Sequence, residues 1–134
     1  MAGTYLMFNR NCKEALALYE KAFKAKVKEV MTYGDMPENP SLLVLEKDKK
    51  LVLHARFEIN GTEIMCADSS RSLQGGSNMF VSVSMKDSAM AKKAWSILKK
   101  GGKVYTELQP SFFASLQGTL QDAFGINWMF TVEK

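Results

Sequence analysis

Between residues 51 and 59 apolar and polar positions alternate, with Leu51, Leu53, Ala55 and Phe57 on one side and His54, Arg56 and Glu58 on the other. A period of two predicts a strand with one face buried. Asn60-Gly61 follows, and both residues tolerate the positive φ of a tight hairpin turn, so Thr62 to Ala67 is the returning strand. Upstream, Thr4 to Phe8 is a short apolar run that fits a first strand. Asn11 and Glu14 have the spacing of a capping box, and Cys12, Ala15, Leu16, Tyr19, Ala22 and Phe23 recur at helical spacing behind it. Val27 to Tyr33 reads as a strand with Val27, Met31 and Tyr33 on one side and Glu29 as the exception. Residues 35–40 form a loop with two prolines, and 41–50 stays open between a short helix and an irregular excursion.

After a Ser/Gly-rich linker over 69–77 the order repeats. Asn78 to Met85 alternates, with Met79, Val81, Val83 and Met85 facing away from Phe80, Ser82 and Ser84. Asp87 or Ser88 starts a helix striped by Met90, Ala91, Ala94, Trp95 and Leu98, and Gly101 closes it. Lys103 to Leu108 is a strand. A last hairpin then runs from Phe113 through Gln117, turns at Asp122 to Gly125 and returns through Asn127, Trp128, Met129 and Phe130. The chain is thus strand, helix and three strands, twice over: an α+β domain of two βαβββ modules, about 1–68 and 78–134. Helices should cover the apolar strand faces, leaving the opposite faces to curl around a cleft. Trp128, in step with Ile126 and Phe130, is expected in the core.

Composition narrows what this domain can do. A chain of 134 residues, 46% hydrophobic and 24% charged, buries a sizeable core as one domain. Its apolar runs are too short to cross a bilayer, and no basic stretch precedes a long apolar core at the N-terminus, so the expectation is a cytoplasmic protein without membrane contact. Cys12 and Cys66 lack the spacing of a metal or redox motif and are expected to be reduced and packed. The net charge of +4 comes from 18 basic residues, of which only Arg10, Arg56 and Arg71 are arginine, and the lysine clusters have no interleaved aromatics. Nucleic acid is not an expected partner.

The segments YLMFNRNCKEALALYEKAF, KDKKLVLHARFEINGTEIMCADS and GTLQDAFGINWMF, in this order, resemble the PhnB-like branch of the vicinal oxygen chelate superfamily, often labelled 3-demethylubiquinone methyltransferase-like. The resemblance implies the glyoxalase/bleomycin resistance/dioxygenase fold and a homodimer. It also implies four positions where metal-dependent members hold a divalent ion with His, Gln and Glu. Here they correspond to Thr4, about Met65, Phe80 and Met129. Thioethers and one hydroxyl are poor ligands for such an ion, so neither a metal nor another cofactor is expected. Where related sequences read W-G-A-R-F-G, this chain reads Phe113, Ala114, Ser115, Leu116, Gln117 and Gly118, and Leu116 in place of arginine would remove a cation from the cleft. Gly75-Gly76 does not follow a buried parallel strand, so the glycine pair offers no nucleotide-binding pattern in support of the methyltransferase label.

His54 is the single histidine and the one side chain whose ordinary pKa lies near neutrality. No carboxylate or serine stands at a fixed spacing that would make it part of a nucleophilic triad, so no catalytic residue is expected. The expected cleft lining is Thr4, His54, Met65, Phe80, Ser82, Phe113, Gln117 and Met129, and the expected occupant is a small, partly apolar molecule. The alternatives are a metal-dependent isomerase, thiol-transferase or dioxygenase, and a protein that sequesters a drug.

Overall fold

A computed structural model describes residues 2–37 and 43–134. It divides into two compact units: the first comprises the chain up to Glu20 with Lys24–Leu73, and the second Lys21–Phe23 with Gln74–Lys134.

The first unit holds β1 (Thr4–Phe8), α1 (Cys12–Phe23, whose last three residues belong to the second unit), β2 (Lys26–Thr32), β3 (Val52–Ile59) and β4 (Thr62–Asp68). Its sheet has the order β1-β4-β3-β2, with β1 parallel to β4 and the other pairs antiparallel. Residues paired across a ladder share a face, so Leu6, Phe8, Ala55, Phe57, Ile64 and Cys66 lie together on one side. All six are buried, and the Tyr19 ring of α1 stacks on Phe57 at 5.7 Å and meets Phe8 at 6.4 Å. Asn60 and Gly61 adopt φ of 50° and 84°, the hairpin geometry that their side chains permit.

Two expectations for this unit need correction. Asn11 precedes α1 but makes no side-chain cap, so the expected capping box with Glu14 does not form. Asp68, at the end of β4, accepts the Cys12 amide instead, at 2.9 Å. The odd pattern of β2 comes from a register shift between Val27 and Glu29, where Lys28 is the extra residue; at a second shift, between Met31 and Thr32, the extra residue is Leu53 of β3. Each inserted residue turns its own strand over. Val27 therefore pairs with Phe57 on the covered face, whereas Glu29 and Met31 pair with Arg56 and His54 on the other. In the stretch left open, Glu46–Asp48 is a single 3₁₀ turn, and residues 38–42, which include part of the expected proline loop, lie outside the described residues.

The second unit contains β5 (Val81–Met85), α2 (Ser88–Leu98), β6 (Lys103–Gln109), β7 (Leu116–Gln121) and β8 (Asn127–Val132) in the order β5-β8-β7-β6. Again the first strand runs parallel to the last. Asp87 caps α2 by accepting the amides of Ala89 and Met90. Trp128 and Phe130 are fully buried, as the alternation of the closing strand predicts. Phe23 packs on both, at 4.9 and 5.7 Å, and Trp95 meets Phe130 edge-on at 5.3 Å. Gly118 is required where it is: a Cβ there would lie 2.9 Å from the backbone of Leu108 and from the Trp95 ring.

Two strand starts fall later than the alternation suggests. β5 begins at Val81, and Met79 is 80% exposed rather than aligned with Val81. β7 begins at Leu116, which leaves Phe113 outside the sheet and stacked edge-on against Phe112.

Candidate functional site

Each sheet has a face turned away from its helix, and the strand pairing says which side chains stand there. On the first sheet these are Tyr5 and Met7 from β1, Glu63 and Met65 from β4, His54, Arg56 and Glu58 from β3, and Lys26, Glu29 and Met31 from β2. Tyr5 is in register with Met65, and Met65 with Arg56, so a phenol, a thioether and a guanidinium form one row across three strands. The Tyr5 hydroxyl lies 3.3 Å from Nδ1 of His54, and the two rings are 5.9 Å apart at a tilt of 36°. Burial, aided by Cys66, Tyr33 and Cys12, holds the Tyr5 phenol above its ordinary pKa, so at neutral pH it is a neutral hydrogen-bonding group. Arg56 donates from Nε to Glu29 at 3.0 Å and from Nη1 to Glu63 at 3.2 Å, and its pKa is raised first by the bond to Glu29 and then by the charge of Glu63. Lys28 pairs with Glu58 at 3.3 Å.

The corresponding face of the second sheet is uncharged over most of its area. Ser82 pairs in register with Met129, Met129 with Thr119, and Gln117 with Thr131. Thr106 and Thr119 share a hydroxyl hydrogen bond of 2.8 Å. At one end Asn127 is fully engaged: its amide nitrogen donates to the carbonyls of Gly76 and Met79, and its oxygen accepts from Tyr105 and Gln121. Phe80, just before β5, sets its ring edge-on to Tyr105 at 5.9 Å.

Of the expected lining residues, His54 and Met65 share the uncovered face of the first sheet, and Ser82, Gln117 and Met129 share that of the second. Phe80 adjoins that second group through Tyr105. Two residues stand elsewhere. Thr4 pairs with Ile64 and has the parity of Leu6 and Phe8, which places it on the helix-covered side; Tyr5 occupies the uncovered position next to it. Phe113 precedes β7 and is 54% exposed. Leu116 is buried on the covered face, in register with Val132, so its identity leaves the charge of the uncovered face unaltered. Tyr5 and Glu29 are the residues that sequence reasoning missed. The signal for Tyr5 was present, because an apolar Leu6 and Phe8 on one side of a strand oblige Tyr5 and Met7 to occupy the other.

The residues at the positions where the resemblance implies a divalent ion do not fit one. Met65 and Met129 offer thioethers, Phe80 offers nothing, and Thr4 lies on the covered side. Shifting the register does not help. Tyr5 and His54 are engaged with each other, Glu63 is held by Arg56, and among the described residues no three His, Cys, Asp or Glu side chains converge. The buried thiols are the other chemically distinctive pair. Cys12 and Cys66, distant in sequence, bring their Sγ atoms within 3.6 Å, and the hydrogen bond that the Cys12 thiol donates to Cys66 together with burial pushes its pKa up. The Gly75-Gly76 pair is part of the segment tied to Asn127, since the Gly76 carbonyl takes one of its two donated bonds.

Comparison with known proteins bears on both the family and the fold. A family model described as 3-demethylubiquinone-9 3-methyltransferase matches residues 2–131. Protein YjdN of Escherichia coli (strain K12) is 28% identical over 97% of this chain and 93% of its own. A solved structure of a putative 3-demethylubiquinone-9 3-methyltransferase, PhnB protein, from Bacillus cereus is 25% identical, covers 98% of each chain and superposes with a TM-score of 0.79. The fold extends to the fosfomycin resistance protein FosX of Listeria monocytogenes, at 12% identity, a TM-score of 0.69 and coverage of 100% of this chain and 92% of that one. That structure is a complex with Mn(II) and 1S,2S-dihydroxypropylphosphonic acid.

Proposed function

The chain belongs to the 3-demethylubiquinone-9 3-methyltransferase family, the PhnB-like branch of the vicinal oxygen chelate superfamily, and we propose that within it this member binds a small, partly apolar molecule without a metal. The observation that carries the reading is the composition of the uncovered faces. Met65 and Met129 stand in strands where the resemblance implies metal ligands; on the first sheet Met65 shares its face with the Tyr5–His54 pair, and on the second Met129 shares its face with Ser82, Thr119 and Gln117. Thioether and aromatic surface with scattered neutral hydrogen-bonding groups is the usual lining of a small-molecule site. The same side chains supply neither an activated nucleophile nor a set of hard ligands, so binding without chemistry is the simplest use of them. The protein is proposed to act in the cytoplasm as a homodimer, which light scattering during gel filtration tests directly. No helix among the described residues is long and apolar enough to cross a membrane.

A thermal-shift screen across neutral, cationic and anionic compounds tests the reading, because any ligand selective for the folded state raises Tm by mass action. Hits that bind equally well after exhaustive chelation support it. A second reading, a metal-dependent enzyme, is favoured by the fold shared with a Mn(II)-containing FosX. Titration with Mn, Ni, Zn and Fe separates the two: stoichiometric binding abolished in His54→Ala or Glu63→Gln would establish the second and remove the first.

A further inference from the structure

Arg56 is the one guanidinium on the uncovered face of the first sheet, and both of its bonds to protein are made on that face. Glu29 takes Nε from the β2 side and Glu63 takes Nη1 from the β4 side, so carboxylates flank the cation on both neighbouring strands. An arginine that recognises a phosphonate or carboxylate presents two parallel N–H groups to it. Here the Nε–H and one N–H of Nη1 are given to two different carboxylates, and the three N–H groups that remain lie on a guanidinium already flanked by both. The triad also carries one positive charge against two negative ones, which leaves the centre of the face with an excess negative charge. Around it stand the uncharged side chains of Tyr5, Met31 and Met65 and the imidazole of His54, while at the outer strand Lys26 is in register with Glu58 and Lys28 is paired with it.

We propose that this triad acts as a charge filter, so that the first sheet admits neutral, hydrogen-bonding, partly apolar ligands and turns away phosphonates and carboxylates of the same shape. The proposal rests on the reading that the protein binds a small molecule, and it names the class of molecule. An anion approaching Arg56 must either displace a carboxylate from it or bind next to one, and both cost electrostatic free energy that a neutral ligand avoids.

Two probes with the same apolar body, benzyl alcohol and benzylphosphonate, test the filter by calorimetric titration at low ionic strength, where exposed charges are least screened. Wild-type protein is expected to bind the alcohol at least about tenfold more tightly than the phosphonate, as placing an anion within a few ångströms of an unbalanced carboxylate requires. The Glu29→Gln/Glu63→Gln double variant keeps the side-chain shapes and removes both negative charges from around the guanidinium. It should strengthen phosphonate binding by about tenfold while moving the alcohol less than about twofold, with each single variant in between. Equal binding of the two probes to the wild type overturns the filter. A ratio that the double variant leaves unmoved also overturns it, including the case in which neither probe saturates either protein. Either result leaves small-molecule binding standing if the wider screen has given hits, whereas a screen without hits at any charge overturns that underlying reading.

Discussion

The carboxylate of Asp68 accepts the backbone amide of Cys12 at 2.9 Å with one oxygen and that of Val52, also at 2.9 Å, with the other. One buried side chain at the end of β4 thereby caps α1 and holds the start of β3. Asn11, the residue best placed in sequence to do the first task, makes no such bond. Asp68→Ala leaves two buried amides unpaired and should cost about 3 kcal/mol in urea unfolding, whereas Asn11→Ala should cost less than about 0.5 kcal/mol. Equal losses in the two variants would restore the capping box.

The contrast shows where reading the chain succeeds. Periodicity reports on the side of an element that meets the core, so the order of ten elements, the Asn60-Gly61 hairpin, the Asp87 cap and the burial of Trp128 were all legible. A cap supplied from 56 positions away was not, because nothing local distinguishes Asp68 from any other acidic residue at a strand end. Register irregularities are equally hidden: the alternation of β2 shows one misplaced glutamate, and only the pairing reveals the extra residue at Lys28 and a second one at Leu53 of β3. The candidate site suffered by one position at Thr4, where resemblance was followed in preference to the alternation that marks Tyr5.

That one-position difference is open to measurement. For whichever compound the ligand screen selects on the first sheet, Tyr5→Ala is expected to weaken binding by about tenfold through loss of ring contact and of its hydrogen bond to His54. Thr4→Val should change it by less than about twofold, as fits a side chain on the helix side of the strand. The reverse ranking would return Thr4 to the site.

Alkali should find a weak point at the thiol pair. The Cys12 pKa is raised from an ordinary 9.0 in the folded chain, by the hydrogen bond with Cys66 and then by burial, whereas the unfolded thiol ionises near that ordinary value. Above about pH 9 the unfolded state therefore holds fewer protons than the folded one, and stability should fall by up to about 1.4 kcal/mol per pH unit for this group. Below that pH its contribution is fully present. Cys12→Ala is expected to flatten the slope between pH 9 and 10.5 while lowering stability at pH 7. An unchanged slope would place the alkaline loss elsewhere.

Gly118 provides a steric test in the second unit. The Cβ of alanine would approach Leu108 and the Trp95 ring to 2.9 Å, closer than packed carbons tolerate, and β6 and α2 must both give way. Gly118→Ala is expected to destabilise by about 2 kcal/mol and to alter the near-ultraviolet signal of Trp95. Gly61→Ala is the contrasting case: nothing lies within 4 Å, so its expected loss of about 1 kcal/mol comes from the φ of 84° alone and should leave the Trp95 signal unchanged.

The two outermost antiparallel strands, β2 and β6, are also the two whose ladders slip, each at two places. A strand dislocated twice in seven residues cannot serve as a template on which a foreign segment zips up in register, so these flanks are poor seeds for fibrils. Polymerisation through main-chain pairing would have to begin at β1 or β5, and a single proline placed on either rim would be enough to reveal it.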